Sequence, residues 1–127
     1  MKNLISDIAE HIKTECGYKV NVGQFPDSPN NLVLLNWKSG VKPYYSFDKP
    51  NAYRRRPFLM VEVRNESYFD ALEVIENVNM ELERLYGNLG DKYILNITKT
   101  SEPLENGRDK KNNYNFLQNY IVDFKED

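Results

Sequence analysis

Thiol and imidazole chemistry are almost missing from this chain of 127 residues, which has one cysteine, Cys16, and one histidine, His11. A lone cysteine excludes an intrachain disulfide and cannot build a thiolate metal cluster. His11 has no second imidazole with which to share a metal and no evident nucleophile beside it, so it reads as a surface or boundary residue. Cys16 would need a nearby base to be reactive, and packing is the usual fate of such a residue. Long apolar runs are missing too. The longest, Leu32 to Leu35 and Phe58 to Val61, fall far short of the ~20 residues of a membrane helix. With no apolar export segment near the start, the expectation is a protein neither exported nor anchored, made in the cytoplasm. No phosphate-binding loop, dinucleotide fingerprint or zinc-ligand spacing occurs, so no cofactor or metal is expected. Nor does one sign of charge dominate: 17 Lys and Arg stand against 19 Asp and Glu, a net charge of -2. No overall basic field draws the chain to nucleic acid or anionic lipid, although a local basic patch stays open.

What is present suits one globular domain over residues 1–127. Hydrophobic residues make up 40% and charged residues 28%, an ordinary balance that can bury a single core. Leu4, Ile5, Ile8, Ala9 and Ile12 recur at the spacing of one helical face, and Gly17 is placed to end that helix. Tyr18, Val20 and Val22 then alternate with polar residues as in a strand. Pro26 to Asn30 is turn chemistry, and Leu32 to Trp37 is a second strand that would pair with the first as a hairpin. Val41 to Arg56 mixes two prolines, tyrosines and three consecutive arginines, and reads as an extended projecting arm.

The second half is better marked. Phe58 to Arg64 carries apolar residues on both faces, as in a central strand covered on both sides. Ser67 and Asp70 have the spacing of a capping box. The helix that follows, Ser67 to Tyr86, sets Ala71, Val74, Ile75, Val78, Leu82 and Leu85 on one stripe, and Glu73, Glu76, Asn77, Glu81 and Arg84 toward solvent. Tyr93 to Thr100 and Tyr114 to Phe124 form a closing strand pair, with Gln118 alone breaking an apolar face. Between them Ser101 to Asn113, with Pro103, Gly107 and the run Arg108 to Lys111, reads as an exposed loop. The predicted class is therefore α+β: an antiparallel or mixed sheet of four to five strands, a short N-terminal helix and one long helix across the sheet.

That order of elements, with Arg56-Pro57-Phe58 opening the central strand, the acidic helix after Asn65, and Asn106-Gly107-Arg108 leading to Asn115-Phe116 and Asn119-Tyr120, resembles the tail terminator or minor capsid proteins of long-tailed bacteriophages, the head-tail joining proteins of the tail. The resemblance implies a non-enzymatic virion protein, assembled in the host bacterial cytoplasm. It would form a ring, commonly hexameric, that caps the head-proximal end of the tail. Its implied partners are further copies of itself, the major tail tube protein and the head completion or connector protein. Genomic DNA would pass through the lumen without sequence-specific binding, and no membrane is involved. Tyr44, Tyr45, Tyr53, Arg54, Arg55, Arg56 and Arg108 are the candidate subunit or tube contacts, because Tyr and Arg concentrate where interfaces bury their energetic centre. The other reading of the arm is a surface loop whose tyrosines fold back on the sheet.

Two readings from other classes stand beside it. Asp27 with Glu62-Val63-Arg64 mimics the acidic pattern of a metal-dependent nuclease, but Arg64 stands where a lysine would serve, and a guanidinium keeps its proton. The third reading is a monomeric cytoplasmic adaptor.

Overall fold

The structure is a computed structural model that describes residues 2–26, 30–45, 52–109 and 111–126. Two helices, α1 (Lys2–Cys16) and α2 (Tyr68–Arg84), accompany seven strands: β1 (Val20–Val22), β2 (Leu32–Tyr45), β3 (Ala52–Asn65), β4 (Gly87–Leu89), β5 (Lys92–Lys99), β6 (Leu104–Arg108) and β7 (Tyr114–Glu126). The strands form one mixed sheet in the order β1-β2-β3-β7-β5-β4, with β6 also pairing β7.

This architecture corrects the expected class. The protein is mostly β rather than a four- to five-stranded α+β domain, and its helices are of similar length, 15 and 17 residues, not one short and one long. The first apolar stripe ends at Ile12, but hydrogen bonding carries α1 on to Cys16, where Gly17 at φ 76° donates its N–H to Lys13 O and closes it. Two strands escaped the sequence because each is short or polar. β4 has three residues, and β6, Leu-Glu-Asn-Gly-Arg, lies inside the segment expected to be an exposed loop. The first two strands do not form a hairpin: β1 runs parallel to β2, with Val20 beside Val33 and Val22 beside Leu35. The arm is also replaced. Residues 41–45 belong to β2 and 52–56 to β3, so most of it is paired sheet; 46–51 lie outside the described residues.

A bulge shapes this long hairpin. Lys38 pairs with Phe58 but Val41 with Arg56, so β2 carries an extra residue around Ser39 and Gly40. Gly40 presses so closely on β3 that a Cβ would lie 2.3 Å from Arg56 O and 2.4 Å from Pro57 Cα. Pro57 is buried opposite that irregularity, which is where a strand interior tolerates a residue without an N–H.

Both helices lie on one face of the sheet. Leu4, Ile8 and Ile12 of α1 and Ala71, Ile75, Val78 and Leu82 of α2 share a single buried cluster with Val33, Leu35, Leu59, Val61, Val63, Ile97, Tyr120 and Phe124. Register assigns the alternate residues to the other face, on which Leu34, Glu62 and Leu117 lie in one row across three strands and Lys38, Phe58 and Ile121 in another. Among the described residues no helix covers that face. Odd-numbered residues of β3 face the helices and even-numbered ones face away from them, where Met60 is nevertheless buried and Phe58 half-buried. No described helix is long and apolar enough to cross a membrane.

Candidate functional site

Arg64 organises one end of the open face. Its guanidinium donates from Nε to Asn30 O at 3.1 Å and from Nη2 to Pro26 O at 2.7 Å, and lies 4.5 Å from the centre of the Phe25 ring. The described ends of the β1–β2 connection are thereby tied to β3 beside Leu32, which is buried. Glu66 takes hold of the same loop, accepting from Asn30 Nδ2 at 2.7 Å and donating its backbone N–H to Asn31 Oδ1 at 3.0 Å.

Two residues of the nuclease pattern, Glu62 and Arg64, are placed by this arrangement. Arg64 is spent on a structural loop, and Glu62, two residues earlier on the same face, has Leu34 and Leu117 as its direct cross-strand neighbours. Burial pushes the Glu62 carboxyl above its ordinary range, while the charge of Lys38 pulls it partly back. Burial in that setting penalises the charged form of the carboxyl. Asp27 lies outside the described residues, and among the described residues no three His, Cys, Asp or Glu side chains come together to hold a metal ion.

The candidate contact residues divide into three groups. Tyr44, Tyr45 and Tyr53 lie on the paired ends of β2 and β3, and their side chains lie outside what the structure describes. Arg54 and Arg55 are engaged within the chain. Arg54 Nε donates to Asp123 Oδ1 at 2.6 Å and its Nη2 to Asp123 Oδ2, a two-pronged pair in which Asp123 is buried. Arg55, on the opposite face, lies 5.8 Å from the centre of the buried Phe124 ring. Arg56 is half-buried at the bulge. Arg108 is exposed and stacks back on Tyr114 at 4.4 Å, directly across the β6–β7 pairing. Asp123 was not singled out from sequence. Its signal was an acid within an otherwise apolar last strand.

The helices use polar residues that the sequence assigned to solvent. Asn77 Nδ2 donates to Tyr18 OH at 2.8 Å, and Glu81 Oε1 sits 3.0 Å from His11 Nε2, so both tie α2 to the α1 side. Cys16 is half-buried beside them, and burial, Glu81 and Glu15 together push its thiol up, away from the reactive thiolate. What α2 leaves to solvent is a stripe in which Phe69 is 78% and Met80 51% exposed, with Glu73, Glu76 and Glu83 on the same side.

The candidate site is thus a pair of surfaces: the sheet face away from the helices, flanked by the long β2–β3 hairpin, and the outer stripe of α2. No family model matches the chain, and no protein with a curated description matches it.

Proposed function

We propose that this protein is a structural assembly subunit that works as a ring at the head-proximal end of a phage tail, capping the tail tube and forming the tail side of the junction with the head. The observation that carries the reading is the one-sided layering. Both helices pack on one face of a wide sheet, and the opposite face, where Leu32, Leu34 and Met60 are buried within the chain but Phe58, Leu117 and Ile121 only half-buried, has no described helix above it. A sheet face of that composition is ordinarily satisfied by a second layer, and in an assembly subunit a neighbour supplies it. The order of strand, acidic helix and closing strands supports the same reading by its resemblance to the tail terminator family, as an analogy of fold.

A ring is a heterologous contact closed by rotation, so each subunit needs two different surfaces for its neighbours and a third for the tube. The β2–β3 hairpin, with Tyr44, Tyr45 and Tyr53 near its tip, is the element proposed to meet the tube. Light scattering across a protein concentration series tests the proposal. A closed oligomer of fixed mass, hexameric by the family's habit, is the expected result; a monomer at every concentration, with or without added tail tube, refutes it.

A further inference from the structure

The two helices carry three basic and eight acidic side chains, a net charge of -5, while the whole chain carries -2, so the remainder sums to +3. That imbalance is spatial, because both helices lie on one side of the sheet. On the face away from the helices the register places Lys38, Arg54, Arg56 and Lys125 against Glu62 and Asp123. The helices are therefore acidic, and the open face carries four basic against two acidic side chains, Arg54 and Asp123 being paired with each other.

Each side also carries apolar groups that are exposed or half-buried. The outer stripe of α2 reads Phe69, Glu73, Glu76, Met80, Glu83, spaced by three and four residues, so that two exposed apolar side chains bracket a pair of acids. The open face offers the reverse pattern, with half-buried Phe58, Ile121 and Leu117 on either side of the buried Met60, Leu104 59% exposed toward one edge, and Lys38 exposed toward the other. The dimensions agree. Phe69 and Met80 stand ~16 Å apart along a helix, and the rows containing Ile121 and Leu117 are separated by ~13 Å along a strand.

Pairing at the strand edge is a weaker alternative. Beyond its short partner β1, β2 presents a free edge from Asn36 onward among the described residues, but Lys38, the bulge at Gly40 and Pro43 are the features that blunt such edges.

We infer that the occupant of the open sheet face is the α2 outer stripe of a second copy of this chain, giving a head-to-tail contact in which Phe69 and Met80 cover Phe58, Leu117 and Ile121 while Glu73 and Glu76 meet the basic rim. The inference rests on the assembly reading above and names its two subunit surfaces. Because those surfaces lie on opposite sides of one subunit, each copy can accept one neighbour and offer itself to another, as a ring requires.

Two variants test it, both altered only at exposed positions. One removes the helix surface (Phe69→Ser, Glu73→Lys, Glu76→Lys) and the other the sheet surface (Lys38→Glu, Leu104→Glu). Thermal melts monitored by circular dichroism establish that each is folded, and light scattering gives the mass of each alone and of their equimolar mixture. The expected result is that each variant alone associates at least about tenfold more weakly than the parent chain, while the mixture stops at a 1:1 dimer, since each partner keeps one intact surface. Variants that assemble as the parent does would leave the ring standing and overturn these surfaces. A parent chain that forms open polymers abolished by both variants supports the surfaces and overturns the closed ring. A monomeric parent with no dimer in the mixture overturns both.

Discussion

Gly40 and Pro57 meet across the β2–β3 hairpin at a distance that leaves no room for a side chain at position 40: a Cβ there would stand 2.4 Å from Pro57 Cα. The obstacle is backbone, not a side chain that could swing aside, so Gly40→Ala must open the bulge or shift the register. The expected cost is about 1–3 kcal/mol, read as a lower denaturation midpoint in urea. An unchanged midpoint would mean that the hairpin does not close on β3 in this way.

The arginine triplet yields a prediction opposite to the one its sequence suggests. Arg54 holds Asp123, which is buried, so Arg54→Ala strands a carboxylate inside the sheet and destabilises the fold by about 1–3 kcal/mol. Arg54→Lys restores only part of this, because an ammonium cannot match the two-pronged geometry. Arg108→Ala, which removes an exposed stack on Tyr114, should cost less than about 1 kcal/mol. Chemical denaturation of the three variants ranks them. Equal effects at positions 54 and 108 would contradict the assignment.

Tyr120 is fully buried, and its hydroxyl has no hydrogen-bond partner among the described residues. Burial, with a smaller contribution from Glu83, raises its ionisation above the ordinary value of 10.0. Because the folded state resists losing that proton, the stability tied to it is fully present below about pH 10 and is lost as pH rises further, where the unfolded chain ionises first. Tyr120→Phe should therefore be neutral or stabilising by up to about 1 kcal/mol at pH 7. It should also hold its melting temperature better than the parent above pH 10. A loss of stability at pH 7 would reveal a hydroxyl partner.

How much of this was legible in the sequence follows from what each residue could signal locally. The buried stripe of α2 and its Ser67 cap are local, and the structure shows Ser67 Oγ accepting from Asp70 N at 3.4 Å, although Ser67 N bonds Asn65 Oδ1 instead of closing a reciprocal box. The parallel pairing of β1 with β2 was hidden, since Val20 and Val33 meet only through tertiary structure. β6 was hidden because a strand edge tolerates Glu105, Gly107 and Arg108, the residues that otherwise mark a loop. The candidate arginines were visible as residues but not as partners. Asp123, Phe124 and Tyr114, which engage three of them, lie far along the chain or across a turn. The apolar residues of the second sheet face were visible in Phe58 and Met60, but alternation alone does not say whether a layer covers them.

Glu62 supplies the last prediction, since it lies in the same row as Leu34 and Leu117 on the face away from the helices. Burial raises its ionisation above the ordinary 4.5, the larger effect, while Lys38 opposes it. A carboxyl whose folded value is raised contributes stability that is present below its unfolded value and lost as pH rises through the folded one. Glu62→Gln, which stays neutral throughout, should thus melt higher than the parent at pH 7 and lose that advantage near pH 4. Melting temperatures of both proteins at the two pH values decide it. If the parent were the more stable at pH 7, the attraction of Lys38 would outweigh the cost of burial, and Glu62 would be a stabilising charge on this face.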